Sequence, residues 1–118
     1  MYDQLVENPL FNITFFGGLI FMLAGFIQFQ FPPKKINSLY GYRTNSSMKN
    51  QERWDFSQKF SAKELMKLGG LLAGSSLLAL ITNFNDSINL IIGLFLMVAM
   101  VIILFFRVEK AVKTKFRN

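Results

Sequence analysis

The sequence predicts an all-α, polytopic membrane protein with three transmembrane helices, and with a cytoplasmic loop and helix between the first two. Three observations predict it. Hydrophobic residues make up 52% of the 118-residue chain and charged residues only 17%, against about 25% charge in an ordinary soluble domain. The apolar residues gather in three blocks near the length of roughly 20 that crosses a bilayer. The basic residues fall almost entirely between the first two blocks and after the third, the asymmetry that keeps Lys- and Arg-rich flanks in the cytoplasm. We therefore expect one membrane domain over residues 1–118.

Residues 1–9 contain Asp3 and Glu7 and no Lys or Arg. A cleavable signal peptide carries a positive leading region and a small-residue cleavage site, so the first apolar block is expected to be a retained helix. That block, residues 10–31, has no charge, and Pro32-Pro33 closes it because proline cannot donate to a helix. A polar segment follows over residues 32–64. Its first half reads as an irregular connector, punctuated by Pro32, Pro33 and Gly41, with Asn45, Ser46 and Ser47 as turn or cap formers. From about Ser47 the chain lacks Pro and Gly and is rich in helix formers, so a helix is predicted to begin there.

At about 100° per residue, Met48, Phe56 and Phe60 of that helix share a broad face. Lys49, Lys59 and Lys63 fall on the same face, while Trp54 and Leu65 project elsewhere. Two arrangements stay open. The helix can lie on the membrane with its basic groups snorkelling outward. Alternatively it is buried on two faces, against the bundle and the connector, with Arg43 and Trp54 in a built site. Whether it continues into the second span is also open.

The second span, residues 65–84, is the weakest, since it holds Lys67 and Gly69-Gly70; Lys67 can snorkel from a helix end. The short turn over 83–87 makes the second and third spans antiparallel neighbours, with Asp86 or Ser87 as the expected N-cap. The third span, 88–106, is stopped by Arg107 and followed by a basic tail, 107–118.

Charge sets the orientation. Residues 32–64 hold seven basic and three acidic groups, and the tail five and one; the amino terminus and the 83–87 turn hold acidic groups only. The expected topology is amino terminus outside and carboxyl terminus cytoplasmic. The net charge of +6 is then the sign rule of a membrane protein, with attraction to anionic lipid, and no nucleic-acid partner is expected. Small residues mark where helices touch in lipid. Gly70 and Gly74 stand at GxxxG spacing beside Gly69, and Gly17, Gly18 and Gly25 lie in the first span. They serve packing within the bundle or the seam of a homo-oligomer.

The chain has no Cys and no His, which removes disulfides, thiol nucleophiles and the commonest general base and metal ligand. No catalytic residue, cofactor or metal site is expected, and the chain is not expected to be an enzyme; one acting on lipid would depend on Glu52, Asp55 or Glu64. A transporter or channel usually carries ionisable groups inside its spans. Away from their charged ends these spans offer only Gln28, Gln30 and Ser75-Ser76.

The string "GYRTNSSMKNQERWDFSQKF", residues 41–60, closely resembles the signature of the SdpI/YfhL family of small bacterial membrane proteins. The matching elements are Gly41, Tyr42, Arg43, Thr44, Ser47, Asn50 and Trp54, and Phe56, Lys59 and Phe60 also fit. Many members have Pro where this chain has Asn45, and a small residue or His near Ser57-Gln58. The resemblance implies a membrane protein of immunity to a secreted toxic peptide, coupled to signalling towards the cytoplasm. A peptide toxin or a cytoplasmic protein would be its partner; a small transporter, channel or lipid-binding protein is the alternative. The candidate binding residues are Tyr42, Arg43, Thr44, Asn50, Trp54 and Lys59. An Arg at position 43 suits bidentate capture of a phosphate or carboxylate, and Trp54 suits a headgroup anchor or a seat for a cation. Asn50 can tie connector to helix. In the competing arrangement Arg43 pairs with Asp55 or Glu52 and merely locks the loop.

Overall fold

A computed structural model describes residues 5–116, and among them it contains helices and loops only. Helix α1 runs Pro9–Gln30. Asn8 caps it, its side-chain oxygen accepting from the Leu10 amide at 2.9 Å, and Pro9 occupies the first turn, where its missing N–H is not needed. Helix α2 runs Gln51–Gly74. A 3-10 turn at Ser75–Leu77 and one more α-helical turn at Leu78–Ile81 continue it, making a single 31-residue rod from Gln51 to Ile81. Helix α3 runs Asp86–Lys115. The helices go up, down and up, giving a body of 52 × 26 × 20 Å. All three rods are long and apolar enough to cross a membrane, and side chains such as Ile20, Leu23, Ile91 and Phe95 point outward from them.

Several expected boundaries move. The polar helix starts at Gln51 and not near Ser47, because Ser47 is committed to a turn: its hydroxyl donates to the Tyr42 and Thr44 carbonyls and accepts from the Thr44 amide. Asn50 takes over as cap, accepting from the Arg53 amide at 2.9 Å. That helix does not lie apart from the second span; it is the same rod, which ends at Ile81 rather than Phe84. The third helix is capped by Asn85, not Asp86 or Ser87, through an acceptor bond from the Ile88 amide. It runs past Arg107 and takes up the basic tail as far as Lys115.

Glycine decides how α1 meets α2. A methyl at Gly18 would overlap the Ala73 backbone nitrogen; one at Gly25 would lie 2.9 Å from the Ala62 carbonyl oxygen, and one at Gly69 equally close to that of Gly18. The two backbones therefore touch, as small residues allow in lipid. The seam runs along Gly69 rather than along the Gly70–Gly74 pair. Added methyls at Gly17 and Gly70 would make only ordinary contacts at 3.8 Å, and Gly74 faces open space. Helix α3 packs through Gly93 against Ile13. At the far end, Val108 and Val112 bury themselves against Tyr42, with Phe56, Phe60, Leu104 and Phe116 around them.

Candidate functional site

Polar side chains concentrate at one end of the bundle, where the 31–50 loop folds over the start of α2 and the last turns of α3. Asn37 begins the fold-over by accepting from the Leu39 and Tyr40 amides at 2.9 and 2.8 Å. Gly41 then adopts φ +105°, and a side chain there would collide with Pro33 and with Gln58; only glycine takes this backbone without strain.

Gln58 of α2 treats the next residue as a strand neighbour would. Its Nε2 donates to the Tyr42 carbonyl at 2.8 Å and its Oε1 accepts from the Tyr42 amide at 2.7 Å. Gln28 of α1 ties into the same point, donating to the Gln58 carbonyl at 3.0 Å and to the Ser61 hydroxyl at 2.8 Å. Trp54 closes the other side: it is 0% exposed, and its indole N–H donates to the Pro33 carbonyl at 2.7 Å. These buried backbone groups would each cost about 1–3 kcal/mol if left without a partner.

Glu109 of α3 is the latch. It accepts from the Tyr42 hydroxyl at 2.6 Å, the Ser46 hydroxyl at 2.6 Å and the Thr44 hydroxyl at 3.0 Å. Three hydroxyls of one loop thus converge on one carboxylate of another helix, in bonds that charge strengthens. Burial, and then the neighbouring Glu109, push the Tyr42 phenol well above its ordinary pKa, so it remains a neutral donor. A second tie between α2 and α3 is ionic: buried Glu64 takes Arg107 on one oxygen and Lys67 on the other. Lys67 therefore has a partner in its own helix, and Glu64 is held by two cations.

The candidate residues divide into two groups. Tyr42, Thr44, Asn50 and Trp54 all make bonds within the chain. Arg43 and Lys59 are exposed. Among the described residues Arg43 has no hydrogen bond or ion pair; the salt bridges there are those of Glu64, and Asp55 instead accepts from Gln51. Lys59 flanks a cavity of about 300 Å³ lined with Lys34, Asp55 and Pro33 among others. Sequence reasoning missed Gln28, Gln58 and Glu109. Glu109 had one legible signal, as the single acid in a tail of five bases.

The pattern of the SdpI/YfhL protein family matches residues 34–106, from the connector through the apolar part of α3. The chain belongs to the SdpI/YfhL family. The uncharacterized protein YfhL of Bacillus subtilis (strain 168) is 38% identical to it over 97 residues, covering 82% of this chain and 83% of its own length. No solved structure matches. With its three apolar rods, this SdpI/YfhL member is a bacterial multi-pass membrane protein. The family match contains every hydroxyl donor of the latch and ends before their acceptor, Glu109.

Proposed function

We propose that this SdpI/YfhL member is an immunity or signal-relay protein of the bacterial cell membrane. Its amino terminus lies outside, its polar end and carboxyl terminus in the cytoplasm, and the polar end meets an anionic partner through Arg43. A peptide toxin arriving from outside would meet the bundle, and the polar end would pass the event to a cytoplasmic protein or to anionic lipid. The observation that carries this reading is the contrast inside "GYRTNSS". Tyr42, Thr44, Ser46 and Ser47 turn inward to Glu109 and to the backbone, while Arg43 between them stays exposed. A rigid mount with one guanidinium projecting from it suits recognition of a planar carboxylate or a phosphate.

The test has two arms. A reporter active only in the cytoplasm should work when fused after Asn118 and fail when fused before Tyr2; activity at the amino-terminal fusion overturns the orientation. At matched protein levels, Arg43→Ala should lower cell protection, or capture of anionic lipid vesicles, about tenfold or more. Arg43→Lys should lose most of the same effect, because an ammonium cannot make two parallel bonds. If Arg43→Lys behaves as wild type, charge alone suffices; if both variants are silent, Arg43 does not contact the partner.

A further inference from the structure

A groove of about 180 Å³ lies between α2 and α3, in the apolar part of both helices. Its α2 wall is Leu68, Leu71, Leu72 and Ser75, which follow Glu64 by four, seven, eight and eleven residues, the spacing of one helix face. Its α3 wall is Leu96, Ala99, Met100 and Ile103, which precede Arg107 by the same four spacings. The helices are antiparallel, so both walls descend together from the Glu64–Arg107 ion pair, over about 10 Å of helix. Leu72 and Met100, 4% and 5% exposed, form the floor, while Leu71 and Ile103 stand open on the rims. Ser75 turns its hydroxyl to the Leu72 carbonyl, so the groove presents only apolar surface. We propose that one anionic phospholipid occupies it, with an acyl chain between the walls and the phosphate on Lys67 and Arg107.

Charge at the head of the groove selects the lipid. Glu64 is 3% exposed in its side chain, whereas Lys67 and Arg107 are 68% and 52% exposed. Arg107 alone would neutralise Glu64; Lys67, 3.2 Å from the other carboxylate oxygen, leaves the cluster one positive charge in excess. Arg107 reaches Glu64 through Nε, and among the described residues its two terminal nitrogens make no hydrogen bond. Lys67 directs one donor to Glu64 and keeps two. Arg107 directly follows the apolar run 88–106, and Lys67 directly precedes the apolar end of α2, so both cations stand at the edge of the hydrocarbon, where a phospholipid carries its phosphate. An uncompensated charge is costly at that depth, and basic sites between spanning helices are where acidic headgroups bind. A second copy fits less well: at a net charge of +6, a parallel neighbour would bring basic end against basic end. The site uses neither Arg43 nor the orientation of the bundle, and it would serve in either leaflet.

The test uses full-length protein in phosphatidylcholine nanodiscs, with the methionine methyls and the tryptophan indole isotope-labelled. The probe is phosphatidylglycerol with a nitroxide on the upper part of one acyl chain, compared with phosphatidylcholine carrying the same labelled chain. At equal mole fraction the phosphatidylglycerol should broaden the Met100 methyl signal about fivefold more. Met22, which meets α2 at Gly69 and Gly70 on its other side, should be broadened equally by the two lipids. Lys67→Gln leaves Glu64 paired with Arg107 and should bring the two Met100 values together. Ala99→Phe fills the groove and should lower the effect of phosphatidylglycerol to that of phosphatidylcholine. An unchanged Trp54 indole signal in both variants shows that the fold is kept. Equal broadening of Met100 in the wild type, or a preference retained by either variant, overturns the proposal. Broadening of Met100 by neither lipid, with two copies in each disc, gives the groove to a second copy and overturns it as well. Arg43→Ala should keep the full Met100 preference even where it lowers vesicle capture, so the two sites can fail separately; loss of the preference in that variant would place the lipid at the loop end and overturn the groove.

Discussion

The two ends of the bundle solve the same problem, closing three helices, in opposite ways. At the loop end the chain satisfies most of its own groups: Gln28 and Gln58 hold the connector's backbone, Trp54 reaches Pro33, and Glu109 collects three hydroxyls, while the buried Ser57 hydroxyl has no partner among the described residues. At the turn end a short connection leaves a pocket, two carboxylates and the unsatisfied Asn89 Oδ1. The difference teaches where stability and recognition are separated. A densely paired network is rigid and unavailable to a ligand, so what is open to solvent there is what projects from it, Arg43 and Lys59 together with Lys34, Lys35 and Lys49.

That contrast can be broken, most forcefully at Trp54. Trp54→Ala removes a fully buried ring and strands the Pro33 carbonyl, so it should destabilise by about 3–5 kcal/mol. Thermal unfolding of the purified protein in detergent should show the largest fall in Tm of any single substitution named here. An unchanged Tm would mean that the loop end is not the stable one. Glu109→Ala comes next. It leaves the Tyr42, Thr44 and Ser46 hydroxyls without their acceptor and should cost roughly 1–3 kcal/mol. Proteolysis should then cut within 34–50 while sparing the 82–85 turn; cleavage at the turn alone would contradict the latch.

Tyr42→Phe sharpens the comparison through pH. The folded phenol has its pKa raised, by burial first and Glu109 second. Its contribution is therefore complete below about pH 10, where a free tyrosine ionises, and is lost as pH climbs above that. The variant should lose about 1 kcal/mol at neutral pH and show a shallower alkaline decline than wild type. An identical alkaline profile would place the phenol outside the latch. The smallest effect belongs to Gly74→Leu, on the half of α2 nearer the turn. With open space around it, the leucine should change stability by no more than about 0.5 kcal/mol. A large loss, or a changed assembly size, would show that Gly74 packs against a second copy.

Much of the architecture was legible beforehand because it depends on composition and period. Uncharged runs bounded by Pro32-Pro33 and Arg107 are needed for a chain to sit in lipid, and that requirement is local. The helix starts were harder. Ser47, Asp86 and Ser87 are as good caps in isolation as Asn50 and Asn85, and the choice fell to whichever side chain the surrounding turns left free. The glycine seam shows the same limit, since spacing favoured Gly70 and Gly74 while contact selected Gly18, Gly25 and Gly69.

By itself, then, the sequence determined that this protein has three helices, that they are apolar enough to span a bilayer, and that its distinctive motif lies between the first two. These properties belong to runs of residues and need no partner in space. Only the tertiary structure decided which motif residues face inward. The carboxylate that Tyr42, Thr44 and Ser46 share comes from Glu109, more than sixty residues away along the chain, and the amide that holds Tyr42 comes from Gln58. The orphaned Asn89 oxygen was equally invisible. A hydrogen bond is short and directional, so its presence or absence is a fact about where three helices bring their atoms, and no local pattern encodes it.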